Sequence, residues 1–350
     1  MSEPVARRIS RPSRRRRLGA PAARQKGVAL LIAILLVALG TMIAATLVYD
    51  NAMTARRTIA ALNYDQALLI TEGAEDFAAY GLQQIFQNTP SQGNQPAHMV
   101  YPGQAWGQPL GPIEVAPGVT LEAHLEDLEG RFNLNDLVNS DGKTANNAAI
   151  TAFQNLLASV GLERKWADDV VNWISRSPAP PFPDAASDTA YLEMNPPYHT
   201  PNLPITSASE LLALPGFGRT RFEKIAPYIT ALPQSARVNY CSASPQVLNA
   251  FLGHEEYSDP KEFAKQRAAA DTCFPSTQDF SAAYSNTGAG GGAGEPLAAF
   301  LQSFTPETSS WFQLTTYVSA GSTEFAFYSV LYRDPTTGKV RVILRSDTPN

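Results

Sequence analysis

The pattern of apolar and polar positions changes period three times along the chain. From Val28 to Val48 it reads VALLIAILLVALGTMIAATLV, without one charge and with Thr41 and Thr46 as the conspicuous polar side chains. At about 1.5 Å per residue this run predicts a helix of roughly 31 Å, the hydrocarbon thickness of a bilayer. A buried core helix is the competing reading, but such segments are usually shorter. No proline follows until Pro90, so the helix is expected to run on past the membrane. In that second half Ile59, Leu62, Leu69, Phe77, Tyr80 and Ile85 recur at helical spacing, while Arg56, Arg57, Asp65, Glu72, Glu75 and Asp76 take other faces. The pattern predicts an amphipathic helix that packs this stripe on a head domain.

Residues 88–118 are rich in turn formers and read as a long loop leading to a sheet edge. From Val119 to Glu129 apolar and polar residues alternate as in a half-buried strand, and Gly130 ends the run. The short, polar-alternating segment 131–137 and a turn over Asn139–Gly142 follow. The middle of the chain has helical period. Helices are predicted over 145–160, 163–175, from the Ser207–Glu210 capping box, over 219–229, from Ser244–Pro245 and over 261–271. Arg237–Tyr240 reads as a brief extended segment and 287–294, TGAGGGAG, as a loop. Period two returns at the end, where 311–318, 323–333 and 339–345 predict an antiparallel meander. The fold class is therefore α+β: a long helix and an antiparallel sheet, with an all-helical insertion between the strands.

Charge sets an orientation. Residues 1–26 hold nine Lys or Arg against Glu3 alone, a net of +8. Of the totals of 27 basic and 32 acidic side chains, 18 and 31 then remain for the rest, a net of −13. By the positive-inside rule the basic tail is cytoplasmic and the head lies outside the cytoplasm. An acidic head argues against nucleic acid. Cys241 and Cys273 are the two cysteines, and in an oxidising compartment such a pair most simply forms one disulfide; two unpaired buried thiols are the other arrangement. Zinc is disfavoured, since there is no CxxC and His98, His124, His199 and His254 are scattered.

The apolar run is too long for a signal-peptide core. Instead, the junction Arg24-Gln25-Lys26-Gly27-Val28 resembles a prepilin leader, which implies cleavage after Gly27 by a prepilin peptidase and Val28 as the new N-terminus. A helix half in lipid and half on a head is likewise the spine of type IV pilins. RQKGVALLIAILLVALGT, DQALLITEGAEDFA, LEDLEGRFNLNDL, YLEMNPPYHTPNLPITSASELLALPGF, RVNYCSASPQVLNAF and FYSVLYRDPTTGKVRVILRS together resemble a type II secretion minor pseudopilin of the K subclass, general secretion pathway protein K, over most of residues 24–346. Most pilins carry Glu at the fifth mature position; here it is Ile32, and the K subclass is known for lacking that acid.

The resemblance implies a type IV pilin-like fold with a large helical insertion resembling SAM or helix-hairpin-helix domains. The expected division is 1–27 leader, 28–48 transmembrane helix, 49–139 and 296–350 head, 140–232 a first helical domain, and 233–295 a second. It also implies a structural, non-enzymatic subunit at the tip of a periplasmic filament. Its partners would be minor pseudopilins of the I and J type, the prepilin peptidase and the inner-membrane secretion platform. The alternative is a minor pilin of a type IV pilus or DNA-uptake filament. The resemblance further implies calcium in the helical region, for which Asp184, Asp188 and Glu193 offer hard oxygen ligands, although their spacing is not an EF-hand.

Three motifs weigh less. Leu214-Pro-Gly-Phe-Gly218 is similar to a DNA-binding hairpin but is flanked by Glu210 and Glu223 in an acidic head, which favours a structural turn. Ser140-x-x-Lys143 lacks the partner motifs of penicillin-binding proteins. The glycine run at 287–294 lacks the Lys-Ser/Thr of a P-loop.

Overall fold

The computed structural model describes residues 27–88, 98–177, 181–234, 236–270, 272–285 and 308–349. Its elements are α1 (Val28–Asn88), β1 (Leu110–Ala116), β2 (Val119–Asp127), β3 (Phe132–Asn133), α2 (Asn147–Ser159), α3 (Trp166–Ile174), α4 (Asp188–Leu192), α5 (Gly218–Ile225), β4 (Ile229–Thr230), α6 (Pro245–Leu252), α7 (Pro260–Ala269), α8 (Thr277–Ser285), β5 (Trp311–Ala320), β6 (Thr323–Arg333) and β7 (Val340–Ser346). The chain divides into two units at Leu62 and Asn63.

In the first unit the helix is the whole described structure. Its most apolar 18-residue window has mean hydropathy 2.8 and buries none of its surface. Thr41 and Thr46 donate to the carbonyls of Ala38 and Ile43 at 2.9 and 2.8 Å, so both hydroxyls are satisfied within the helix. That is what a hydrocarbon surrounding requires, since it offers polar groups no water.

In the second unit the remainder of α1 lies on a five-stranded antiparallel sheet of order β1-β2-β5-β6-β7. The face of α1 that meets the sheet is not the predicted stripe. Ala67, Thr71, Ala74, Glu75, Leu82 and Phe86 are buried, whereas Leu69, Phe77 and Tyr80 remain more than 60% exposed. Ile59 and Leu62 are exposed as well. The reason is distance: alanines and threonine let the helix approach closely enough for the Thr71 hydroxyl to meet that of Thr316 at 3.2 Å. Phe312, Leu314, Val318, Phe327 and Leu331 complete this core from the sheet.

The meander β5–β6–β7 forms within two residues of its expected bounds, and β2 pairs antiparallel with β5 along its whole length. β1 falls inside the segment read as loop. Gly111 and Pro112 mask it, and as an edge strand it tolerates a proline that has no N–H to give a ladder.

Between β2 and β5 the chain builds a separate helical core around Phe132, Phe153, Leu156, Trp166, Val170, Tyr191, Phe217, Leu248 and Phe280. α6 starts as its sequence predicts, with the Ser244 hydroxyl accepting from the Val247 amide at 3.3 Å and Pro245 in the first turn. The Ser207 capping box also forms, but the element behind it, Ala208–Ala213, is a 3-10 helix. The predicted helix 219–229 is α-helical to Ile225 and 3-10 over Ala226–Tyr228, after which Ile229–Thr230 pairs in parallel with Phe132–Asn133. α4 and α8 were not expected. The glycine run at 287–294 lies outside the described residues.

Candidate processing and assembly site

At the junction of leader and helix, Gly27 has φ +129° and an added Cβ would meet nothing, so its backbone conformation, not crowding, is what a side chain would disturb. α1 starts at Val28 and Ile32 projects from its first turns with 55% of its surface exposed. The charge-free first turns and the open Gly27 make one continuous apolar surface at the new N-terminus that cleavage would create.

Farther along, α1 is fastened to β7. The buried Glu75 carboxylate receives Arg345 Nε at 2.8 Å, Arg345 Nη2 at 2.6 Å and the Ser329 hydroxyl at 2.5 Å. Glu72 takes Arg345 Nη1 at 3.1 Å. This bidentate contact raises the guanidinium's pKa still further, the Glu75 hydrogen bond being the largest cause.

A second polar junction ties the sheet to the helical domain. Asp127, at the end of β2, accepts from the Ser309 hydroxyl at 2.6 Å and from Asn239 Nδ2 at 3.1 Å. Asn239 also reaches the carbonyl of Val100 at 3.0 Å. Glu129 accepts from the Ser310 amide at 3.0 Å, and Arg333 donates through Nη2 to the Ser309 carbonyl at 2.6 Å. Burial pushes both carboxyls up, Asp127 raising Glu129 further, and pushes Arg333 down to about 10. The chains approach so closely here that a Cβ on Gly130 would stand 2.8 Å from the Ser242 carbonyl oxygen. Asn133 and Asn135 make a matching seam: Asn135 donates to the carbonyls of Ile205 and Leu232 at 2.9 Å each, and Asn133 accepts from the Leu232 amide at 3.0 Å. None of these roles was predicted. The only trace in the sequence was the concentration of Asn, Asp and Glu in LEDLEGRFNLNDL, a stretch otherwise apolar enough to be core.

Cys241 and Cys273 form a disulfide with Cα atoms 4.9 Å apart, linking the segment before α6 to the one before α8. The acidic trio is not brought together. Asp188 accepts from His199 Nδ1 at 2.7 Å and from the Thr200 amide at 2.9 Å, contacts that hold its carboxyl below the usual range, the His199 bond most. Asp184 instead lines a cavity of 410 Å³ with Asp168 and Asp169. Among the described residues no three His, Cys, Asp or Glu converge as a metal would need, so this trio does not fit a calcium ion in this arrangement.

The weaker motifs have structural employment. Asp141 folds its turn by accepting from the Lys143 and Thr144 amides and the Thr144 hydroxyl, which lowers its carboxyl to about 2. In the hairpin, Gly216 and Gly218 take positive φ, Arg219 pairs with Glu223 at 2.7 Å, and Arg221 pairs with Glu163 at 3.1 Å. These arginines are spent on carboxylates within the protein.

Known proteins are similar to this chain in sequence and in fold. A family model described as type II secretion system (T2SS), protein K, matches residues 130–234, the stretch that carries the Asn133 and Asn135 seam with Ile205 and Leu232. The type II secretion system protein K of Pseudomonas aeruginosa is 29% identical over 232 residues, covering 65% of this chain and 68% of that protein. The protein of that name from Pectobacterium carotovorum is 29% identical over 261 residues, covering 70% and 76%. In fold, the chain resembles one in the crystal structure of the GspK-GspI-GspJ complex of enterotoxigenic Escherichia coli, with a TM-score of 0.66 and 19% identity over 83% of this chain and 98% of that one. With its long helix on an antiparallel sheet and its helical insertion, the chain is similar in sequence to type II secretion system protein K and in fold to a chain of the GspK-GspI-GspJ complex.

Proposed function

We propose that this chain is a minor pseudopilin, a non-enzymatic tip subunit of a periplasmic pseudopilus, working beside partners of the I and J type to export folded proteins. The basic tail stays in the cytoplasm, residues 28–48 cross the inner membrane once and the head is periplasmic. A prepilin peptidase cuts after Gly27, and the inner-membrane platform then receives the mature chain.

The observation that carries this reading is the uncovered apolar stripe of Leu69, Phe77 and Tyr80 on α1. Three large side chains in water on a folded head mark a surface made for another protein. Gly73 lies four residues from both Leu69 and Phe77, and open space above it would let a second helix come close. The GspK-GspI-GspJ complex supplies the class of neighbour: the I and J components of a type 2 secretion system. Ile32 adds support for the tip. An acid at that level would answer a neighbour's N-terminal ammonium in lipid, and Ile32 offers no such link.

The test is co-purification of the detergent-extracted full chain with its I- and J-type pseudopilins. Phe77→Asp should abolish their recovery while leaving the thermal melt of the purified chain unchanged. Undiminished recovery with that variant would overturn the assignment of this stripe.

A further inference from the structure

The two edges of the sheet are treated differently. β1 is blunted: it contains Gly111 and Pro112, and its pairing with β2 is broken by two register shifts. β7 is not blunted. It runs seven residues on the outer side of β6, and among the described residues nothing bonds to the backbone of that outer side. It also carries three consecutive exposed apolar residues, Val342, Ile343 and Leu344, at 39, 48 and 43% exposure. A soluble protein ordinarily avoids such an edge, because it invites another strand.

A bulge shapes this edge. Leu344 stands opposite Val330 and Val342 opposite Leu331, so Ile343 is the extra residue. As a result Ile343 and Leu344 both line a groove of 510 Å³ between the sheet and the helical domain, with Trp311 and Val330 from the sheet and Ile205 and Leu232 from the helical side. A free strand edge beside an apolar groove has the two parts of strand-addition recognition: backbone bonds for affinity and a side-chain pocket for specificity.

Charge selects the occupant. Lys339 and Arg341 are exposed on and beside β7; Arg341 lies over the Tyr332 ring at 5.1 Å, and the Asp334 carboxyl, lowered chiefly by its main partners, the Thr337 and Thr336 amides, is lowered least by the Arg341 charge. They stand out as local cations on a chain that is net −13 beyond residue 26. We propose that β7 accepts an extended acidic segment of another protein as a sixth strand, with one large apolar side chain of that segment seated in the groove. This surface is separate from the α1 stripe, so it stands or falls independently of the tip assignment.

The probe is a fluorescein-labelled decapeptide alternating Glu with Val and carrying a central Leu, titrated by anisotropy into the detergent-extracted full chain. A twin with Lys for Glu is the charge control. Saturable binding of the acidic peptide, at least tenfold tighter than the basic one, is expected. Leu344→Gln should weaken it at least tenfold, Arg341→Glu should abolish the charge preference, and Lys261→Gln on α7 should change nothing. Each variant's melt is recorded, and one that does not fold is replaced by the milder Leu344→Ala or Arg341→Gln. Absence of saturable binding, or equal binding of both peptides, overturns the proposal. So does sedimentation showing that the chain dimerises and that Leu344→Gln prevents it, which would make a second copy the occupant.

Discussion

Glu75 of α1 and Arg345 of β7 stand 270 residues apart and meet through two hydrogen bonds of 2.8 and 2.6 Å. The helix buries its carboxylate against the sheet, and the last strand brings the guanidinium to it. Arg345→Ala would leave a 3% exposed carboxylate with Ser329 as its remaining donor. Stability should fall by about 2–3 kcal/mol, less than the roughly 3–5 kcal/mol for breaking a fully buried pair because the arginine is partly exposed. Urea unfolding of the variant, with Glu75→Gln/Arg345→Ala recovering part of the loss, checks this.

A pH dependence follows from buried acids. Burial lifts Asp136 to about 8 against a donated bond from Asn133 and the charge of Arg237, and burial also lifts Asp127 and Glu129. A carboxyl raised on folding favours the protonated native state, so its contribution is complete below the unfolded value near 4 and is lost as pH climbs through the folded value. The groups that move the other way, Asp141 and Glu163 at about 2, are ionised in both states above pH 5. The urea midpoint should therefore drop between pH 5 and pH 8, worth about 1–3 kcal/mol. Asp136→Asn should flatten that slope; a midpoint that rises with pH would contradict it.

The disulfide closes a loop over a sequence separation of 32 residues. Cys241→Ala/Cys273→Ala should lower the stability of the head by about 3 kcal/mol through the freer unfolded chain. The same loss should appear in the parent protein on adding reductant.

How much of this was legible varies with what each residue does. The long apolar helix, the meander and the α6 cap were readable because each is a local rule: absence of charge, period two, Ser-Pro before an apolar turn. The face of α1 was not. Large residues such as Leu69 and Phe77 normally signal core, but here close helix–sheet contact required Ala67, Thr71 and Ala74, and the large ones were left outside. The junctions at Asp127 and Asn135 were hidden for another reason. Asp127 meets a residue 112 positions away in Asn239 and Asn135 one 97 away in Leu232, and neither separation has a periodicity to read. Asp184, Asp188 and Glu193 looked gathered only because they are near in sequence; the short helix α4 gives Asp188 to His199 instead.

Processing offers a covalent readout. Gly27 sits with φ +129°, a conformation a branched residue strongly disfavours. In the parent protein, N-terminal sequencing of membrane-extracted material should begin at Val28. Gly27→Val should retain the full basic leader.

The central claim is that this subunit ends its filament. The helical region between β2 and β5 would crowd a repeating shaft, and Ile32 lacks the acid that links neighbours, both of which are tolerable where nothing packs above. Electron microscopy of assembled filaments carrying gold-labelled chain measures this directly. One mark at one end is the expected result; label spaced at regular intervals along the shaft would contradict the account.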